Sequence, residues 1–191
     1  MERTNGMTNV SSSRFPASRI AICALFVALT AVCAQITIPI GAVPVSLSLL
    51  PVLLCAALLR PSNACWSMVA YMLIGLAGAP MFSNLQGGPA KLFGVTGGYI
   101  LGYLPCVIVI ALLEKGWGDA FWKLCISMIL GVVACYALGT VWFMAVRHVD
   151  FSTAMGLCVT PFLPFDAGKI LLAAFLAGRL KPVLRKLMPS A

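Results

Sequence analysis

At 191 residues the chain has the length of one domain, yet 61% of it is hydrophobic and only 9% is charged. A water-facing shell cannot be built from that composition, so a soluble globular domain is excluded and the bilayer is the solvent for much of the surface. The net charge of +8 reads as basic residues flanking membrane spans, with no nucleic acid implied.

Residues 1–19 form a polar, basic start that reads as disordered, and Arg14 and Arg19 lead into an apolar run over about 20–40. Gly41 and Pro44 break that run. A second span is expected over about 45–59, ended by Arg60-Pro61, and a third over about 63–79. Then comes the one long irregular stretch, Pro80 to Phe93, which holds Asn84, Gln86, Gly87, Gly88 and Lys91. Further spans follow over about 94–113, 120–146 and 162–180, with Glu114 and Lys115 in the turn between the first two, and a basic tail over 181–191. There is no alternating ten-residue pattern of the kind that lines a barrel lumen. The expected class is therefore an all-α membrane protein, a six-transmembrane-helix bundle over 20–180 whose backbone is satisfied within each helix.

Charge fixes the expected orientation. With the N-terminus cytoplasmic, the inside carries Arg3, Arg14, Arg19, Arg60, Lys115, Lys123, Arg179, Lys181, Arg185 and Lys186, against Lys91 and Arg147 outside. Both termini are then cytoplasmic, and the Pro80 to Phe93 loop shares the outer side with the start of the sixth span.

Asp166 and Lys169 stand inside that sixth span. Each charge in a span costs roughly 2.5 to 3.5 kcal/mol on insertion scales, so the two mark a functional site by default. Three residues apart, they share one helix face, about 6 and 10 Å inward from the outer end at 1.5 Å per residue. They either neutralise one another or hold a ligand that needs an acceptor and a donor together. The loop above them adds amides at Asn84 and Gln86, while Gly87 and Gly88 let backbone approach a ligand. Asn84 reads equally well as a solvated turn residue.

Gly94, Gly98 and Gly102 form a small-residue ridge for helix packing. Ala24 and Ala28 make a similar face on the first span, suited to internal packing or to docking another membrane protein. The eight cysteines form no Cys-x-x-Cys pair and read as small buried hydrophobes, so no metal site is expected. No phosphate-binding loop, no His-Glu-x-x-His motif and no second deep carboxylate is present. The single histidine, His148, reads as an interfacial residue. No catalytic residue and no cofactor is implied.

Several ordered motifs carry a resemblance. Val43-Pro44-Val45-Ser46-Leu47, Gly78-Ala79-Pro80-Met81-Phe82, Gly87-Gly88, Gly94-Val95-Thr96-Gly97-Gly98-Tyr99 and Phe162-Leu163-Pro164-Phe165-Asp166-Ala167-Gly168-Lys169 together resemble the BioY family. Its members are biotin-specific substrate-binding (S) components of energy-coupling factor (ECF) transporters. The resemblance implies biotin binding near the outer face of a prokaryotic cytoplasmic membrane, with Asp166, Lys169 and Gln86 contacting the vitamin. It also implies a transmembrane coupling protein and two cytosolic ATPases as partners, with Ala24 and Ala28 similar to the docking face of such components, in contact with membrane lipid. The apolar part of biotin would suit Phe82, Phe93, Tyr99 and Phe165. The chain departs from the family pattern at Ser48, where a glutamine is frequent, at Val95, which replaces a proline, and at Ile100, which replaces an arginine in some members. Lys91 is the expected substitute for that arginine at the biotin carboxylate. A polytopic enzyme acting on a lipid through Asp166 and Lys169 is the alternative reading.

Overall fold

The computed structural model describes residues 17–38, 44–117 and 120–187. The expected polar start, residues 1–19, and the break at Gly41 lie almost wholly outside them. The described chain is nearly all helix: α1 (Ala17–Gln35), α2 (Leu49–Leu58), α3 (Pro61–Leu76), α4 (Pro89–Leu92), α5 (Gly97–Leu101), α6 (Tyr103–Trp117), α7 (Phe121–Arg147), α8 (Phe151–Cys158) and α9 (Leu163–Leu187). Two short strands, β1 (Thr37–Ile38) and β2 (Val45–Ser46), pair antiparallel between α1 and α2.

The core is organised around α2. Eight of its ten residues are buried, so it is apolar on every face, as a helix enclosed by others must be. It packs against α1, α6 and α9, while α3 bridges α1 and α6 and α7 closes the far side against α5, α6 and α9. The longer outer helices expose large apolar side chains instead, among them Leu25, Val32, Val133, Val141 and Leu171. Water does not tolerate such continuous surface, and acyl chains do. The chain is a membrane protein. Among the described residues three helices are long and apolar enough to cross a membrane, or four if α8 and α9, bent by 55°, count as one.

The second expected span begins differently. Val45 and Ser46 are a strand paired to Ile38 and Thr37, and helix starts only at Leu49. At ten residues α2 covers about 15 Å, half of the roughly 30 Å hydrocarbon core. Its neighbours already shield its ends, so hydrocarbon length is not required of it.

The turn expected at Glu114 is also helix, since α6 continues through Trp117. The Glu114 side chain is largely out of solvent there, accepting from Ser127 Oγ of α7 at 2.7 Å and from Lys181 Nζ of α9 at 2.5 Å. Those two partners remove the need for solvent. At the other end of α7, His148 takes the left-handed conformation that closes the helix, donating its N–H to Met144 O. Asp150 then caps α8 by accepting from Thr153 N at 3.2 Å.

The glycine ridge does pack against α7. A Cβ on Gly98 would lie 2.2 Å from Trp142 Cβ, and one on Gly102 2.9 Å from Cys135 O. Across the contact a Cβ on Gly139 would lie 2.4 Å from the Tyr99 ring. Gly94 falls before α5 and contributes its carbonyl, which accepts from Trp142 Nε1 at 3.0 Å. Because Trp142 Cβ is fixed to its backbone, Gly98→Val must push α5 from α7. It should cost about 1 to 3 kcal/mol by chemical denaturation in detergent. Gly116→Ala, where nothing lies within 4 Å, is the control expected to leave stability nearly unchanged.

Candidate functional site

The site grows from the first turns of α9. Pro164 fits the opening turn, where its missing N–H costs nothing, and Asp166 follows where the helix N-terminus favours a carboxylate. Lys169 lies one turn on. Its Nζ donates to Asp166 Oδ1 at 2.6 Å and to the Ser46 carbonyl of β2 at 2.7 Å. The Tyr136 hydroxyl of α7 donates to the other carboxylate oxygen, Oδ2. Asp166 is 4% exposed and Lys169 8%, so both charges are out of solvent and held by partners from three elements.

A second polar feature starts at Ser46. Its hydroxyl lies 2.5 Å from Ser48 Oγ, which lies 2.6 Å from the Tyr103 hydroxyl of α6. These three hydroxyls line a cavity of about 50 Å³ together with Tyr71, Phe82, Tyr99 and Ile100. That is far below the roughly 300 to 1,000 Å³ of ordinary small-molecule sites, so the cavity is narrow. On the other side of the ion pair, Tyr136 and Asp166 sit in the wall of an apolar groove of about 330 Å³ between α7 and α9.

The cover over the cavity comes from the long loop. Phe82 is buried with its ring edge-on to Tyr71, centroids 5.6 Å apart, and Tyr71 donates its hydroxyl to Met81 O at 2.9 Å. Gln35, the last residue of α1, ties the loop down. Its Nε2 donates to Ala31 O, Pro80 O and Phe82 O at 3.0 to 3.2 Å, and its Oε1 accepts from Leu85 N at 2.8 Å.

The structure pairs Asp166 with Lys169 just outside the cavity lining, links Tyr99 in that lining to them through Tyr136, and leaves other expected residues apart. Tyr99 lines the cavity, its hydroxyl 3.3 Å from Thr140 Oγ1 and its ring edge-on to Tyr136. Asn84 is exposed and accepts from Thr37 Oγ1 at 3.1 Å. Gln86 is exposed and outside the cavity lining, its carbonyl accepting from Phe82 N at 2.9 Å. Lys91, half-buried on α4, is not in the lining either, and burial pulls its ammonium below the usual lysine range. Of the expected aromatics, Phe82 and Tyr99 line the cavity, while Phe93 and Phe165 are exposed. Ala24 and Ala28 line a separate apolar groove of about 730 Å³ between α1 and α3, with Trp66 and Ile74.

Tyr136, Ser46, Ser48, Tyr103 and Gln35 escape the sequence reading of the site. A tyrosine in the middle of the apolar stretch of α7 is the one local signal, because its hydroxyl needs a partner there.

Comparison with known proteins follows the same lines. The family model described as "BioY family" matches residues 5–186. A relative from Pyrococcus horikoshii named as a probable biotin transporter is 36% identical, over 86% of this chain and 97% of its own. The biotin transporter BioY of Thermotoga maritima is 37% identical, over 82% of this chain and 92% of its own. Among solved structures, the S-component for biotin from an ECF-type ABC transporter shares the fold. Its TM-score is 0.81 at 24% identity, covering 87% of this chain and 92% of that one. None of these names supports an enzyme acting on lipid. With a family model over nearly its whole length and relatives this similar, the chain belongs to the BioY family.

Proposed function

We propose that the chain binds biotin and brings it into the cell as the substrate-specific component of an ECF-type transporter. It is a carrier and not an enzyme. The observation that carries this is a buried ion pair with donors and acceptors in hand, joined through Ser46 to a hydroxyl-lined cavity in a BioY family chain. Biotin's cyclic urea offers two N–H donors and one carbonyl acceptor. Asp166 accepts an N–H, Lys169 donates to the carbonyl, and the Gln86 amide completes the ring of contacts once the loop rearranges around the ligand. Asn84 moves with that loop, Tyr99 packs on the apolar body, and Lys91 meets the carboxylate. At about 50 Å³ the cavity is too small for the vitamin, so binding requires the cover formed by Phe82 and its loop to move.

In this reading the bundle crosses a prokaryotic cytoplasmic membrane six times, with residues 1–19 and 181–191 on the cytoplasmic side. Energy comes from a transmembrane coupling protein and two cytosolic ATPases, consistent with a chain that has no nucleotide-binding loop. The groove at Ala24 and Ala28 is the docking face for the coupling protein.

Three measurements test the proposal. In titrations of purified protein, Asp166→Asn and Lys169→Ala should each weaken biotin binding about 10- to 100-fold, the worth of hydrogen bonds to charged groups. Unchanged affinity in both removes the site assignment. Ala24→Leu with Ala28→Leu should leave that titration intact and abolish uptake in cells, and normal uptake refutes the docking face. Lys91→Ala should narrow the preference for biotin over its methyl ester, whereas an unaltered ratio excludes Lys91 from the carboxylate.

A further inference from the structure

Ser48 stands at the N-cap position of α2, where a serine ordinarily accepts from the backbone N–H two or three residues on. It makes no such bond. The residue three further on is Pro51, which has no N–H to offer. Its hydroxyl, in a residue only 2% exposed, turns instead to Ser46 and Tyr103.

The three hydroxyls hold three O–H donors, and the two bonds between them use two. One donor is therefore left over, whichever direction the string is oriented. All three groups line the same cavity, so that donor is available to whatever fills it. Of the other hydroxyls in the wall, Tyr71 donates to Met81 O and Tyr99 pairs with Thr140, while Ser83 and Thr96 stand apart from the string. The string also begins at the residue whose carbonyl holds Lys169, and that ammonium has three N–H groups and two bonded acceptors. Lys169 stands outside the cavity lining and meets the string only at Ser46, and a ligand reaching both a hydroxyl and an ammonium donor there would offer one acceptor with two lone pairs and no proton, a carbonyl oxygen.

We propose that Ser48 and Tyr103 recognise the carbonyl oxygen of the bound cyclic urea, sharing it with Lys169. This rests on the biotin reading above and adds two residues to the site. It makes the acceptor character of that oxygen a determinant of specificity, set by neutral hydroxyls on α2 and α6.

The test compares biotin, 2-iminobiotin at neutral pH, where the protonated imino group replaces the acceptor by donors, and biotin methyl ester, altered only at the tail. Binding to wild type, Ser48→Ala and Tyr103→Phe is titrated, with thermal stability measured alongside. Each variant should lose about tenfold for biotin and for the methyl ester alike, with a clearly smaller loss for 2-iminobiotin. A purely structural role lowers all three affinities together, and that result, or unchanged biotin affinity, overturns the assignment. Should Tyr103→Phe fail to fold, Ser48→Ala decides alone. Wild-type protein that fails to bind biotin refutes the underlying reading instead.

Discussion

Two opposite charges can stay inside an apolar bundle only where every lone pair and proton finds a partner, and Asp166 and Lys169 draw theirs from separate parts of the chain. Tyr136 comes from α7 and the Ser46 carbonyl from β2, a strand more than a hundred residues away in sequence. Removing one member of such a set leaves an uncompensated buried charge and costs about 3 to 5 kcal/mol. Replacing the whole set by apolar side chains is often neutral or stabilising. A pair kept under those terms does not serve the fold alone. It imposes a geometric condition instead, that α7, α9 and β2 meet at one point.

The remaining architecture meets that condition. The β1–β2 pair turns the chain so that Ser46 faces α9 before α2 begins, and the short α2 continues between α6 and α9 without reaching hydrocarbon length. Close approach of α5 to α7, made possible by Gly98 and Gly139, sets Tyr99 against Tyr136 and so backs the residue that donates to Asp166. Gln35 then ties the loop carrying Phe82 across the cavity. Charge, hairpin, glycine contact and loop are links in one chain of support, and the ion pair is where they converge.

What was legible in the sequence follows from how much each residue costs. Asp166 and Lys169 stand out because a charge in a span is expensive whatever surrounds it. The membrane class and the glycine packing were legible for the same reason, since composition and the absence of a side chain are context-free. Ser46, Ser48 and Tyr103 are individually unremarkable residues, and their meaning lies in distances of 2.5 and 2.6 Å across elements that sequence cannot place. The loop was legible only in part. Asn84 and Gln86 stand out in its sequence, but the amide that ties it down, Gln35, lies outside it, and Asn84 is engaged by Thr37. Glu114 was hidden because its partners, Ser127 and Lys181, lie on two other helices.

That last cluster is the natural comparison for the proposed site. Glu114 of α6 and Lys181 of α9 are nearly as withdrawn from solvent as Asp166 and Lys169, and Lys181 lies toward the opposite end of α9. In Glu114 each carboxylate oxygen accepts one bond, from a hydroxyl and from an ammonium, just as in Asp166. Burial and pairing therefore do not distinguish the two. The difference is continuity: from Lys169 the polar contacts run on through Ser46 into a string of hydroxyls that borders a cavity and retains an unused donor. A polar string that borders a cavity has hydrogen-bonding capacity that a ligand can complete.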